Sequence, residues 1–225
     1  MLYNTYLFDA DMTLFDYDKA EQNALIQTFA LFGLPYRDGV RLKYREINDE
    51  LWRVFERRQI SKDDLQIQRF SRLFDRTGIS CDAGLFNGKY LVELGRGNYL
   101  IDGAHEICED LYGRGKKIYI VINGVALTQK MRVGGSAIKK FISGLFVSED
   151  IGAQKPEKQY FDCVFARIEE TDKSKMIIVG DSLTVDIQGG YNAGIDTCWF
   201  NPEHKENFIG IKPTYEITKL SEILQ

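Results

Sequence analysis

Histidine is almost absent from this chain, with only His105 and His204 among 225 residues. A histidine-rich zinc centre or a triad built on imidazole is therefore a poor starting point. Cysteine is sparse as well: Cys81, Cys108, Cys163 and Cys198 lie far apart and make no C-x-x-C pair. They read as reduced thiols rather than a disulfide framework. No apolar run approaches the roughly 20 residues that cross a bilayer, and the N-terminus has no basic stretch leading into an apolar signal segment. Basic excess is missing too; a net charge of −4 argues against a nucleic-acid polymer or an anionic membrane as partner. These absences predict a cytoplasmic protein. What is present is ample core material, 44% hydrophobic against 28% charged, enough for one large domain or a core with a smaller companion.

Two textures alternate along the chain. From Asp18 to Arg96 helix follows helix. Lys19 to Phe32 carries Ala24, Leu25, Thr28, Phe29 and Phe32 at helical spacing, and Gly33-Leu34-Pro35 stops it. Val40 to Arg58 repeats the pattern through Ile47, Leu51, Val54 and Phe55. Ser61-Lys62-Asp63-Asp64 predicts a third helix ending at Gly78, with Ser61 as N-cap and Asp64 at the capping-box position. A fourth is expected between Asp82 and Leu94. After Gly97 come Ile118–Ile122, Leu145–Ser148, Met176–Val179 and Thr197–Phe200, apolar runs without alternation. Such runs mark strands buried on both faces of a parallel sheet. Helices are expected between them at Gly103–Tyr112, Ala126–Phe141, Pro156–Ile168 and Thr184–Ala193. With Tyr6–Phe8 as the first strand, the pattern predicts an α/β fold. Its Rossmann-like parallel-sheet core takes residues 1–16 and 97–225, and a helical insertion takes 17–96.

In such a sheet ligands bind beyond the carboxyl ends of the strands. Tyr6–Phe8 runs into Asp9 and Asp11, which an extended backbone would place side by side on one face. Ile118–Ile122 is followed by Asn123-Gly124, and Met176–Val179 by Gly180-Asp181-Ser182-Leu183-Thr184-Val185-Asp186. Between them, Lys155-Pro156 opens a helix after a loop. Each fragment has an ordinary reading: Asn-Gly as a turn, Lys-Pro as a helix entry, Asp181 or Ser182 as an N-cap. Four of them at one edge of one sheet favour a site. Asp9, Asp11, Asp181 and Asp186 would bring four negative charges against the one positive charge of Lys155. That imbalance calls for a cation, and an all-oxygen ligand set suits Mg²⁺. A Mg²⁺-dependent phosphoryl-transfer site accounts best for these residues.

With D-x-D-x-T at a strand end, a later Lys and a G-D-x-x-x-x-D acidic loop in that order, the chain resembles the haloacid dehalogenase (HAD) superfamily. The helical insertion lies where a cap of the C1 type belongs. Asp16-Tyr17-Asp18, Asn48 to Glu56, Ile60-Ser61, Arg69-Phe70 and Ser148 to Pro156 resemble the nucleotidase branch, the YjjG/YfnB-type noncanonical pyrimidine 5′-nucleotidases. The resemblance implies a phosphatase acting on a small phosphomonoester, a nucleoside 5′-monophosphate in particular; a monomer or homodimer is expected. It makes Asp9 the nucleophile and Asp11 the acid that protonates the leaving oxygen and then activates water. It assigns Mg²⁺ to Asp9, the Asp11 backbone carbonyl and Asp181, with Asp186 beside them. Lys155 would neutralise nucleophile and phosphoryl oxygens, Thr13 would buttress the first motif, and Asn123 and Gly124 would cradle phosphate.

One position departs from the pattern. The second motif ends its strand in Thr or Ser, and Ile122 stands there instead. That departure leaves a weakened binding descendant as one alternative, and an insertion in which nothing recognisably reads a base leaves a sugar-phosphate substrate as another. A dehalogenase fits less well, because family dehalogenases lack the second acidic residue that Asp11 supplies. Trp52, Phe55 and Phe70 read as core of the insertion by their helical spacing, and Arg45, Arg69 and Arg72 as solvated helix faces. Gly189, Gly190 and Gly194 read as sites of close helix–sheet packing.

Overall fold

The first strand, β1 (Thr5–Phe8), forms from four residues that are all buried. The computed structural model describes residues 3–224. Four helices follow: α1 (Tyr17–Leu31), α2 (Val40–Glu56), α3 (Lys62–Thr77) and α4 (Ala83–Arg96). Residues Lys19–Gly97 form a compact unit of their own. The sequence signals at its helix ends are physical ones. Ser61 Oγ accepts from the Asp64 N–H at 3.0 Å, and the Asp64 carboxylate accepts from the Ser61 N–H, so the capping box is complete. Gly78 closes the same helix in the left-handed region at φ 68°. Phe70 packs against Tyr44, Phe74, Phe86 and Tyr90 and is fully buried, as its spacing suggested.

Arg69 is the surprise of this unit. Rather than lining a solvated face it is buried, its guanidinium donating to Asn87 Oδ1 at 2.6 and 3.1 Å and to the Tyr44 hydroxyl at 3.4 Å. The guanidinium also lies over the Tyr90 ring, 4.9 Å from its centre. A polar network thus replaces the expected solvation, and its charge is spread over amide, hydroxyl and aromatic faces.

The remainder of the described chain alternates strand and helix: α5 (Ala104–Gly113), β2 (Lys117–Ile122), α6 (Ala126–Gly134), β3 (Gly144–Val147), α7 (Ser148–Ile151), α8 (Lys158–Phe165), β4 (Met176–Gly180), α9 (Gln188–Ala193), β5 (Asp196–Phe200) and β6 (Tyr215–Ile217). The strands form one sheet in the order β3-β2-β1-β4-β5-β6, every pair parallel. Phe8 stands opposite Ile120 on one side and Val179 on the other, which aligns the carboxyl ends of β1, β2 and β4. One face packs Tyr6, Phe8, Ile120 and Val179 against Ile107, Leu111 and Val133. The opposite face packs Leu7, Val121 and Ile178 against Tyr160, Phe161 and Val164. Burial on both faces is why the strand sequences lack alternation.

Several boundaries differ from the sequence reading, each for a local reason. Helix α6 stops at Gly134, where Gly134-Gly135 interrupts the stretch expected to run to Phe141; each glycine costs a helix about 1 kcal/mol relative to alanine. Ser148 opens the short helix α7 instead of closing β3. Helix α8 starts at Lys158 rather than Pro156. A wide π-type turn at Leu183–Ile187 precedes α9. Strand β6 was not expected at all: it is three residues long at the sheet edge, and two of the three are exposed. Gly189 and Gly190 do permit close packing: a Cβ at Gly190 would come within 2.5 Å of both Ile178 and Thr197, and one at Gly189 within 2.8 Å of Phe161.

Candidate active site

Asp9 follows β1 directly, and its N–H still bonds the Val179 carbonyl at 2.9 Å, extending the ladder by one rung. Its side chain meets Lys155, which comes from the loop between α7 and α8. The Lys155 ammonium has three donors and all three are used: Asp9 Oδ1 at 2.6 Å, Asp186 Oδ1 at 2.7 Å and the Val121 carbonyl at 2.7 Å. Lys155 and Asp186 are each 1% exposed and Asp9 is 6% exposed, so these charges lie almost out of water.

Asp186 reaches this position from the wide turn at Leu183–Ile187. Its second oxygen accepts from the Ser182 N–H at 3.1 Å, and Ser182 Oγ accepts from the Val185 N–H at 3.2 Å. The end of β4 leaves room for it: a Cβ at Gly180 would lie 2.3 Å from Asp186 Cγ. Asp181 is held by its backbone, the Trp199 indole N–H donating to its carbonyl at 2.9 Å.

Among the described residues, Asp9, Asp181 and Asp186 bring carboxylate oxygens within 4.8 Å of one another. Burial pushes the Asp181 carboxyl up to about 7, and the charge of Asp186 adds to the shift. Burial also raises Asp9 well above the usual carboxylate range, against the opposing pull of Lys155; Asp186, Asp181 and Asp11 raise it further. Burial alone would lower Lys155, yet Asp186 and Asp9 raise it above the usual lysine range, so it stands as an ammonium ion. Three crowded carboxylates facing one ammonium form an all-oxygen donor set that fits a hard divalent cation.

The sequence-predicted residues divide between two neighbouring networks. Asp11 lies three residues past the end of β1, near enough for its charge to raise Asp9, but among the described residues it is not one of the three clustered carboxylates. Its carboxylate is instead bonded by two side chains of α6, the Arg132 guanidinium at Oδ1 and Gln129 Nε2 at Oδ2, the latter at 3.2 Å. Asp186, expected beside the metal ligands, lies within the carboxylate cluster itself.

The phosphate cradle is expected from the backbone N–H groups of Asn123 and Gly124, and the Asn123 side chain has a different task, gripping the lysine loop: Nδ2 donates to the Lys155 carbonyl and Oδ1 accepts from the Lys155 N–H, both at 2.9 Å. The Gly124 N–H is likewise engaged, donating to Ser148 Oγ at 3.2 Å. Thr13 is fully buried, and its backbone N–H donates to the Ala10 carbonyl at 3.4 Å; its hydroxyl has no hydrogen-bond partner among the described residues, so the side chain supports the turn by packing. Ile122 packs with Phe8, Ile120 and Val147 in the core face of the sheet.

Arg132, Gln129 and Ser148 were missed as site residues. Gln129 and Arg132 share a helix face by their three-residue spacing, but nothing local says that the face meets Asp11. Only the tertiary fold supplies that information.

Comparisons with known proteins agree with this geometry. The family model of haloacid dehalogenase-like hydrolases matches residues 6–200. The HAD-hydrolase YfnB of Bacillus subtilis is 43% identical over 98% of this chain and 94% of its own length. The pyrimidine 5′-nucleotidase PynA of Streptococcus pneumoniae is 37% identical over 100% of this chain and 94% of its own. The crystal structure of YfnB bound to magnesium superposes with a TM-score of 0.93, covering 99% of this chain and 97% of that one. A family model spanning most of the sheet-forming sequence, together with relatives matched end to end, leads to one assignment: the chain belongs to the haloacid dehalogenase-like hydrolases.

Proposed function

We propose that this chain is a Mg²⁺-dependent phosphatase of small phosphomonoesters, nucleoside 5′-monophosphates foremost, working through an aspartyl-phosphate on Asp9. The observation that carries the reading is Asp9 at the end of β1, bonded to a buried ammonium inside a cluster of three carboxylates. Support for the substrate class comes from relatives named pyrimidine 5′-nucleotidases, PynA and the Escherichia coli protein YjjG.

In this mechanism an Asp9 oxygen attacks phosphorus and the bond to the ester oxygen breaks. Asp11 gives its proton to that oxygen, releasing the alcohol. Water then attacks the aspartyl-phosphate, Asp11 takes back a proton, and the P–O bond to Asp9 breaks to yield phosphate and the free carboxylate. Lys155 opposes the burial that favours the neutral form of Asp9 and orients the carboxylate through its 2.6 Å bond, and it is itself fixed by Asn123 through two backbone bonds. Asp9, Asp181 and the backbone carbonyl of Asp11 would hold Mg²⁺ with Asp186 beside them, and the ion when bound supplies charge neutralisation and Lewis acidity toward phosphoryl oxygens.

The test is a panel of nucleoside 5′-monophosphates, sugar phosphates and p-nitrophenyl phosphate, each with Mg²⁺ and with a chelator. Turnover in Mg²⁺, fastest on the nucleotides, is expected. Preference for sugar phosphates would overturn the substrate class, and silence on every ester would overturn the enzyme.

Two further results are expected of the same protein. Asp181 is raised from about 3.8 to about 7, so in chelator its folded form binds a proton more tightly than its unfolded form. That contribution to stability is complete below about pH 4 and fades as the pH rises through 7. Thermal melts should show the gain from Mg²⁺ growing across this interval; a gain independent of pH would remove the cluster as its binding place. The second concerns Ile122, where the family places a hydroxyl. Ile122→Thr restores a donor to a charged group, a bond of about 1.5–3 kcal/mol, and kcat should rise by about tenfold or more. An unchanged or lower kcat would show that the position has no part in the transition state.

A further inference from the structure

Arg132 has the largest fully buried side chain among the described residues, and it lies outside the carboxylate cluster. A guanidinium loses strong hydration on burial, so its surroundings should explain it. They converge on Asp11. Arg132 Nη1 bonds Asp11 Oδ1, and the same nitrogen donates to Gln129 Oε1 at 3.4 Å. Gln129 Nε2 closes the loop on Asp11 Oδ2 at 3.2 Å. The guanidinium carbon lies 5.1 Å from the centre of the Phe15 ring and 5.8 Å from that of Tyr17, so aromatic faces confine it on the sides that the polar groups leave. Gln129 is 4% exposed and the Asp11 side chain 23% exposed, which puts the donors in the interior and leaves the carboxylate open on its outer side.

We infer that Arg132 and Gln129 are positioning residues: together they clamp the Asp11 carboxylate so that its free lone pairs face the ester oxygen during proton transfer. One donor on each oxygen fixes the plane of the carboxylate, and an ionised carboxylate has about four lone-pair sites, so each oxygen keeps one for the proton in transit. Both donors stand on α6, a helix anchored in the sheet core through Val133, so the clamp is held by a rigid element. The inference rests on the proposed role of Asp11 as the group that moves the proton.

Its test is the dependence of kcat/KM on the leaving group, measured in Mg²⁺ for a nucleoside 5′-monophosphate and for p-nitrophenyl phosphate. An alkoxide needs a proton to depart, whereas p-nitrophenolate leaves without one. Positioned general acid catalysis is worth about 10²–10⁴-fold. Arg132→Met, which keeps apolar bulk against the rings, should therefore lower kcat/KM on the nucleotide at least about tenfold more than on p-nitrophenyl phosphate. Arg132→Lys should recover part of the difference. Gln129→Met carries the same test with a smaller shift in the ratio, and it decides the matter if Arg132→Met does not fold. Equal losses on both esters in either variant would make the pair merely structural and overturn the inference. If the unmodified protein hydrolyses neither ester, it is the phosphatase reading that falls.

Discussion

Asp9→Asn is expected to reduce turnover of every phosphomonoester by roughly 10⁴-fold or more while leaving the fold intact. The substitution replaces one oxygen by an amide of the same shape, so the bond from Lys155 at 2.6 Å can persist to the remaining carbonyl oxygen. What disappears is the anionic oxygen that attacks phosphorus in the proposed mechanism. Two of the nearby carboxylates are already engaged: Asp186 is fixed by Lys155 and by the Ser182 N–H, and Asp11 is bound to Arg132. Steady-state rates with p-nitrophenyl phosphate, alongside a melting curve, measure both halves of the expectation. A variant that keeps more than a few per cent of the wild-type rate would place the nucleophile elsewhere. Trapping supplies a complementary readout, since acid-quenched wild-type protein should carry a labile phosphoryl group and Asp9→Asn should not.

Lys155→Met should damage stability and activity together, for one reason. The ammonium serves Asp9, Asp186 and the Val121 carbonyl at once, and all of these are buried. Its removal strands two carboxylates and a carbonyl in the interior, which typically costs about 3–5 kcal/mol. For a chain of this size that corresponds to a fall in Tm of roughly 6–20 °C. Mg²⁺ should return part of the lost Tm, because a cation can take over the neutralisation of the cluster. The rate should stay at least about 10²-fold below wild type even in saturating Mg²⁺, because the fixed positive charge beside the proposed nucleophile is gone. A variant that melts like the wild type would show that the lysine is not the keystone of this cluster.

Much of the fold could be read from residues alone, and the reasons are specific. The capping box at Ser61 and Asp64 is a local device, complete within four residues, so sequence suffices to see it. The central strands are legible because burial on both faces removes their polar residues. Strand β6 escaped because three residues at an edge, two of them exposed, carry no pattern. The wide turn at Leu183–Ile187 escaped because it exists to deliver Asp186 to Lys155, a partner 31 positions away in the chain. The site shows the same division. Asp9, Lys155 and Asp181 follow from strand ends and topology. The clamp on Asp11, the grip of Asn123 on the lysine loop and the burial of Arg69 depend on side chains meeting across elements, and no spacing in the chain announces such meetings.

The last residue of β4 illustrates how the chemistry restricts engineering. Replacing glycine by alanine in a strand usually gains about 0.5–1 kcal/mol by narrowing the unfolded ensemble, which makes it a routine choice when a protein is to be hardened against heat. At Gly180 the added methyl would claim volume already occupied by the Asp186 carboxylate. A thermostabilisation campaign that swept through the glycines of this sheet would, at this one codon, push the acid off its lysine and disarm the protein it meant to toughen.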